Sequence, residues 1–568
     1  MEFDLVVRNG RLIDGTGTPE RQGDVAVVGD RIVAVGEVEG SAREEIDADG
    51  LVVAPGFVDA HTHMDAQIFW DQLGSSSCWQ GVTTVVMGNC GYTLAPAHPD
   101  QRSLVSCNIE RAEDIPAETL RLGVPWSWSS FAEYLDVVDA LPKGLNYAQS
   151  IGHSALRIWA MGERAFEGPA TAEDLEVMHR ELGAALDAGA MGLTSSRNHD
   201  HTTSDDRLVA SRLAGWDEVA ALVSGLGRVK DAVFQIGSGE LELTKADYLQ
   251  RVQQLVLDAG VQLVTPTVSH DALAVIEDTV ARGGHMFGLT QCRGFNVLQS
   301  FRTRLSFDTL PTWAPIRELP LEEQRRCFED PEIRARLVHA AHHETYKPVG
   351  AADPFEPDFE KIFVMYSPYR VNPSVAAEAR RLGVDPVDVM IDAALETDFD
   401  MCFTQSFWDP LARAFYADEN IDEFTALLRH PNTAMTFSDA GAHASQISDA
   451  SIQTHLLAYW VRERKAFTLE EAVRMITLQP ARTWRLRDRG VLGAGFAADI
   501  TIFDPDTVAP LMPKVVYDLP GGARRYEQRA EGFAATIVNG QVFTRDGEAT
   551  EERPGRLLRR GRMAKPAA

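Results

Sequence analysis

Two histidines one residue apart, His61 and His63, end the run Val52-Val53-Ala54-Pro55-Gly56-Phe57-Val58-Asp59-Ala60. The run reads as a short apolar strand with a Pro-Gly break. A strand sends alternate side chains to one face, so both imidazoles converge on one point and can hold one divalent ion. A second apolar strand within residues 81–91 delivers Cys90 in the context Gly88-Asn89-Cys90-Gly91. If both strands belong to one parallel barrel, Cys90 faces the same centre at the barrel's C-terminal end. A metal there would stabilise the thiolate, the form that binds zinc.

Stepping out from these residues, the chain supplies strands and helices in the order a barrel needs. Apolar strands ending near His61, Asn89, His153, Ser196, Gly237, Ser269, Gln291 and Asp439 alternate with amphipathic stretches. That alternation predicts β-α units and a parallel sheet, an α/β fold of the (β/α)8 TIM-barrel class. Helices are expected over residues 172–189, with Gly189 as the stop, and over residues 244–260. Residues 295–364 are too long for a barrel connection and are read as an insertion, a lid or an oligomer contact.

The first residues follow a different grammar. Leu5-Val6-Val7-Arg8, an Asn9-Gly10 turn, Arg11-Leu12-Ile13, Asp24-Val25-Ala26-Val27-Val28, a Gly29-Asp30 turn and Arg31-Ile32-Val33-Ala34-Val35 predict antiparallel hairpins. The same pattern returns in Ala498-Asp499-Ile500-Thr501-Ile502-Phe503 and around the Asn539-Gly540 turn. Both chain ends are therefore expected to build one small discontinuous β-sandwich. The expected division is 1–54 and 489–568 for the sandwich, the latter with a basic tail, and 55–488 for the metal-dependent barrel.

Composition narrows the partners. The 54 Lys and Arg against 83 Asp and Glu leave a formal charge of −29, which repels nucleic acid and anionic membrane surfaces, so neither is expected as a partner. No apolar run reaches the length of a membrane span. Met1-Glu2-Phe3-Asp4 places acid where an export signal needs positive charge, and the expected compartment is the cytoplasm. Six scattered cysteines without a Cys-x-x-Cys pair suit reduced thiols. Arg553, Arg556, Arg559, Arg560, Arg562 and Lys565 make the end basic, which is read as a solvated tail or a subunit contact. His339, His342, His343 and Glu344 show helical ligand spacing but fall inside the insertion, and are read as a solvated face.

Pro55-Gly56-Phe57-Val58-Asp59-Ala60-His61-Thr62-His63, the Asn89-Cys90-Gly91 segment and Phe437-Ser438-Asp439-Ala440-Gly441-Ala442-His443 together resemble the amidohydrolase superfamily, and within it the N-acyl-D-amino-acid deacylases (D-aminoacylases). The resemblance covers nearly the whole chain. It implies a divalent metal site, most simply zinc with one or two ions per chain, using His61, His63, Cys90 and Asp439. Other superfamily members bridge two metals with a carboxylated lysine on strand four. Gly192-Leu193-Thr194-Ser195-Ser196 has none, and Cys90 matches the cysteine that replaces it in the deacylases.

The resemblance also shows departures. The deacylases carry metal-binding histidines at the ends of strands five and six, where this chain has Phe234-Gln235-Ile236-Gly237-Ser238 and Thr265-Pro266-Thr267-Val268-Ser269-His270. The strand-five histidine is missing, and His270 is the candidate for strand six. Asp439 is the candidate general base and then acid, taking a proton from the attacking water and returning it to the leaving nitrogen. His153, in a Gly-His-Ser segment that the deacylases share, is expected to line the pocket or orient a ligand. Arg197, His199 and His201 follow strand four, where Arg197 could grip a substrate carboxylate, and His443 completes the candidate substrate-binding set.

The expected function is hydrolysis of the amide C–N bond of an N-acyl amino acid, or a related small acylated amine, by metal-bound hydroxide, in a homo-oligomer. A cyclic-amide hydrolase or deaminase on the same barrel is the alternative within the class. A barrel that kept its fold after losing chemistry is the alternative outside it.

Overall fold

The computed structural model describes residues 2–198, 201–237, 239, 243–267, 269–346, 356–407, 409–446 and 449–563, without the side chain of His270. The molecule is α/β, and its parallel strands form a circuit. Phe57–Asp59 pairs with Val82–Met87, which pairs with Asn146–Gln149. That third segment resumes as Ile151–Gly152 and pairs with Gly192–Ser195. Val233–Ile236, Gln262–Pro266, His285–Thr290 and Thr433–Met435 then follow in sequence order, each parallel to its neighbour. Phe437–Ala440, continuing the last of these, pairs in parallel with His61–Thr62, the continuation of the first. Each of the eight segments ends within about three residues of its expected position, because each is a short apolar run closed by glycine or a polar residue.

Two apolar clusters show how period-two alternation divides the strands. Val58, Ala60, Val86, Ala148, Met191, Val233, Val264, Leu289 and Ala434 belong to a cluster drawn from every segment of the circuit. Phe57, Val85, Tyr147, Phe234 and Leu263, each one residue from a member of that cluster, join a second cluster with the helices. Burying a side chain of this size contributes roughly 1.5–3 kcal/mol, which holds the register, since a slip by one residue would exchange the two faces.

The helices begin and stop where local chemistry requires. Thr171 and Asp174 form a capping box at the start of Ala172–Ala188, and Gly189 ends it with φ 113°. Thr244 caps Lys245–Ala259, and Gly260, at φ 64°, closes it.

Strands from both chain ends share one nine-stranded sheet among the described residues. Phe3–Leu12 pairs with Arg21–Val28, and Val52–Pro55 joins Phe3–Leu12 to Ile500–Phe503. The hairpins at Gly29-Asp30 and Asn539-Gly540 form as expected. The expected turn at Asn9-Gly10 does not. Phe3–Leu12 is one strand with a bulge there, because the chain on both sides of Asn9 pairs with the same neighbour, Arg21–Val28. Asn9, at φ 57°, absorbs the extra residue, and its N–H is held by Asp24 at 2.9 Å.

Two further expectations change. The insertion is larger than residues 295–364. Its own apolar core includes Phe301, Trp313, Phe328, Met390 and Phe403, and Phe403–Ser406 is the central strand between Asn296–Gln299 and Ile362–Val364. A polar stretch between the two halves hides this reach in the sequence. The basic end is not a solvated tail up to Met563. Leu557–Leu558 pairs with Asn146–Gln149, Arg559 binds Asp136 and Asp139, and Arg560 donates to the carbonyls of Leu186 and Ala190. Guanidinium groups there satisfy carbonyls at the C-terminal end of Ala172–Ala188, the favourable end for a cation. Lys565 lies outside the described residues. No helix among the described residues is long and apolar enough to cross a membrane, and all six cysteines are free.

Candidate metal centre

The first and last segments of the circuit bring the candidate ligands together. His61 and His63 leave the first, and Asp439 sits in the last, bulged opposite His61–Thr62. Asp439 Oδ1 lies 3.2 Å from His61 Nε2 and 3.3 Å from His63 Nε2. Cys90 Sγ, beyond the second segment, is 3.5 Å from His61 Nε2. One donor atom from each of His61, His63 and Cys90 falls within 4.8 Å of the others, and all three residues are buried. His61 is fully buried, while the Asp439 side chain keeps 19% exposure, so the cluster opens towards the carboxylate.

The backbone is held in an unusual form around these atoms. Cys90 at φ 53°, Asp439 at φ 52° and His443 at φ 47° all occupy the left-handed region, which non-glycine residues adopt at a cost and which clusters at functional sites. Gly441, at φ 94°, is required: a Cβ there would meet the carbonyl carbon of His63 at 2.7 Å.

Electrostatics favours a cation at this point. Burial lowers His61 to about 4, in spite of Asp439, and keeps that ring neutral. Burial also opposes a charge on His63, but Glu113 and Asp439 outweigh it and hold this ring well above its ordinary value. Asp439 stays well below the usual carboxylate range because contact with the two rings overcomes its burial. The Cys90 thiol is pushed up to about 11 by burial. Asp439 Oδ1, although close to both rings, makes no hydrogen bond of good geometry, and neither does His61 Nδ1. Two imidazoles, a thiol and a carboxylate oxygen crowd one buried point, with Cys90 Sγ only loosely bonded to His61 Nε2 at 3.5 Å, and this set fits a divalent metal.

Glu113 was not visible in the sequence as part of this site. It follows the helix Arg102–Glu110, in a polar segment whose composition carries no signal. Its Oε1 lies 3.2 Å from His63 Nδ1, and its carbonyl accepts the His443 N–H at 2.5 Å. A carboxylate behind a ligand imidazole fixes the ring and its tautomer. Burial raises Glu113 to about 7, against the pull of His63. Asp65 is a second such brace, accepting from Gly88 N at 2.9 Å and from Gln149 Nε2 at 2.7 Å, and so tying the first strand to the loop that carries Cys90.

The remaining expected residues are placed differently. Both nitrogens of His153 are engaged: Nε2 donates to Glu218 Oε1 at 2.9 Å and Nδ1 accepts from Ser195 Oγ at 3.0 Å. Glu218 also binds the buried Arg157. Although burial favours its neutral form, His153 and Arg157 bring Glu218 down to about 2. With neither nitrogen free, His153 does not present a donor or acceptor to a pocket. Arg197 donates to the carbonyl of Ala214 at 2.7 Å and lies 4.9 Å from the Trp216 ring. His443 lies on the turn after Asp439, and its Nδ1 is buried without a hydrogen bond. His201 Nδ1 is hydrogen-bonded with Ser196 Oγ at 2.8 Å, and the ring lies 5.4 Å from that of Tyr92. His199 and the side chain of His270 lie outside the described residues; the backbone of His270 begins the helix His270–Ala281. His339 and His343 stack on each other in the insertion and His342 pairs with Asp385, away from any such cluster among the described residues.

Comparison with known proteins agrees with the geometry. The model of the amidohydrolase family matches residues 44–543, and the chain belongs to that family, hydrolases of C–N bonds outside peptides. Within it, a D-aminoacylase of Alcaligenes xylosoxydans xylosoxydans is 28% identical over 98% of both chains. The N-acyl-D-glutamate deacylase of the same organism is also 28% identical, over 98% of this chain and 97% of its own. A solved D-aminoacylase superposes with a TM-score of 0.63 at 23% identity, covering 98% of this chain and all of the other. The Bordetella bronchiseptica N-acyl-D-glutamate deacylase, solved with zinc and a phosphonate mimic of the tetrahedral intermediate, gives 0.62 at 25% identity, again over 98% of this chain and all of its own.

Proposed function

We propose that this protein hydrolyses the amide bond of N-acyl amino acids, with N-acyl-D-amino acids as the substrate class, using one zinc ion. The observation that carries the reading is the convergence of His61, His63 and Cys90 with Asp439 Oδ1 on one buried point. The relatives named above share full length with this chain, which supports the deacylase branch over the rest of the family. The parallel circuit would be the (β/α)8 barrel, over about 55–488, and the sheet of both chain ends its satellite domain.

His61, His63, Cys90 and Asp439 would hold the ion, which when bound supplies Lewis-acid polarisation and acidifies water. Glu113 keeps His63 turned towards the cluster. Asp439, with Oδ1 among the ligand atoms, uses Oδ2 to take the proton of the attacking water and return it to the departing nitrogen. The buried walls exclude competing water and strengthen each of these contacts. A count of one ion is supported by strand five, which offers the neutral amide of Gln235.

Metal per chain measured before and after chelation, together with turnover on a panel of N-acyl-D- and N-acyl-L-amino acids, tests the reading. The expected result is activity on the D-series that disappears with the metal and returns with zinc. Full activity in metal-free protein, or none on any acyl amino acid in the zinc-loaded form, would sink it.

A further inference from the structure

On the fifth strand, Val233–Ile236, Val233 lies in the cluster shared by all segments of the circuit, and Phe234 and Ile236 lie in the one shared with the helices. Period two therefore places Gln235 above Val233 on the inner face, towards the strand end where Cys90 stands. Its side chain is wholly buried. The Cys90 N–H reaches Gln235 Oε1 at 3.0 Å, and since that N–H can only donate, the orientation of the amide is determined. Neighbouring Thr194, paired with Gln235 in the ladder, accepts from Gly91 N at 3.1 Å, so the Cys90 loop is laid across both strands. Cys90 Sγ in turn meets His61 Nε2. What remains is Gln235 Nε2, which has no hydrogen-bond acceptor among the described residues. A fully buried amide donor left unpaired is costly and uncommon, and a ligand oxygen at this place removes the cost.

We propose that Gln235 is a catalytic residue whose Nε2–H donates to the carbonyl oxygen of the scissile amide. The assignment rests on the acyl-amino-acid reading. As water adds to the carbonyl carbon, negative charge builds on that oxygen, and a donor already held in place stabilises the transition state more than the ground state. The two ends of the amide divide the work: Oε1 braces the left-handed backbone of Cys90, and Nε2 serves the substrate.

Gln235→Glu keeps an acceptor for the Cys90 N–H and loses the donor. Gln235→Met loses both at similar volume and adds no charge. Turnover, KM, metal per chain and affinity for a phosphonate analogue of an N-acetyl amino acid, with tetrahedral phosphorus in place of the acyl carbon, would be measured for both variants and the parent. The expected result is metal retained, KM little changed, kcat down by about a hundredfold to a thousandfold, and phosphonate affinity reduced by a comparable factor in the neutral Met variant too. Phosphonate affinity and kcat equal to the parent would overturn the assignment, as would loss of metal in both variants, which would make Gln235 a brace for Cys90 alone. A parent protein inert towards every acyl amino acid is a different result, and takes down the deacylase reading together with this one.

Discussion

The two sides of the circuit treat their buried polar groups in opposite ways. Where the first and last segments meet, His61, His63 and Asp439 crowd within 3.3 Å, yet Asp439 Oδ1 and His61 Nδ1 make no proper hydrogen bond. Around the third and fourth segments, His153, Glu218, Arg157 and Ser195 form a network in which both imidazole nitrogens and both carboxylate oxygens have partners. A histidine is thus functional or structural according to what its nitrogens already hold. Sequence context read His61 and His63 as ligands and His153 as a pocket or orienting residue, and hydrogen bonding turns His153 into the protein instead.

The contrast can be broken first at the ligands. His61→Ala or His63→Ala should lose metal and activity together, and excess zinc should restore part of the activity; unchanged metal per chain in either variant would remove that residue from the ligand set. Asp439→Asn keeps the size and one oxygen but cannot accept the proton. It should cost at least about a hundredfold in kcat with metal content nearly intact, and normal turnover by the metal-loaded variant would pass the proton role to His443.

In this network, Glu218→Ala leaves the buried Arg157 without its carboxylate and with only backbone carbonyls as acceptors, so stability should fall by about 3–5 kcal/mol while metal per folded chain is kept. Chemical denaturation reads the first quantity and metal analysis the second. The same group predicts an acid limb. Glu218 sits at about 2 in the fold against an ordinary 4.5, so its contribution is complete above about pH 4.5 and is lost as pH falls towards 2. Wild-type stability should therefore drop more steeply over that window than that of Glu218→Gln, and parallel curves would count against the ionised network.

The smallest effect is expected behind the ligand. Glu113→Gln retains a partner for His63 Nδ1 but not the charge, and should weaken metal affinity by about tenfold, the low end for an outer carboxylate. Competition with a chelator measures it. No change would mean that the Glu113 carbonyl, through His443, is its more important contact.

Periodicity and punctuation are local, and for that reason much of the fold was legible in the sequence. Apolar runs closed by glycine or a polar residue located the eight segments to within a few residues, Thr171 and Gly189 bounded a helix, and His-x-His with Asn-Cys-Gly and Ser-Asp-Ala-Gly placed donors at segment ends. What depends on chain closure was not legible. Glu113 lies fifty residues from His63 in a polar segment, and only the packing of Arg102–Glu110 brings it behind the ring. The insertion's core joins Phe301 to Phe403 across a long stretch, and the basic end docks because Leu557–Leu558 finds the third segment. Whether His153 faces substrate or protein, and which end of the Gln235 amide stays free, were decided by single hydrogen bonds to Glu218 and Cys90. Such bonds form only between groups that the completed fold has already brought to within about 3 Å, and no spacing along the chain encodes them.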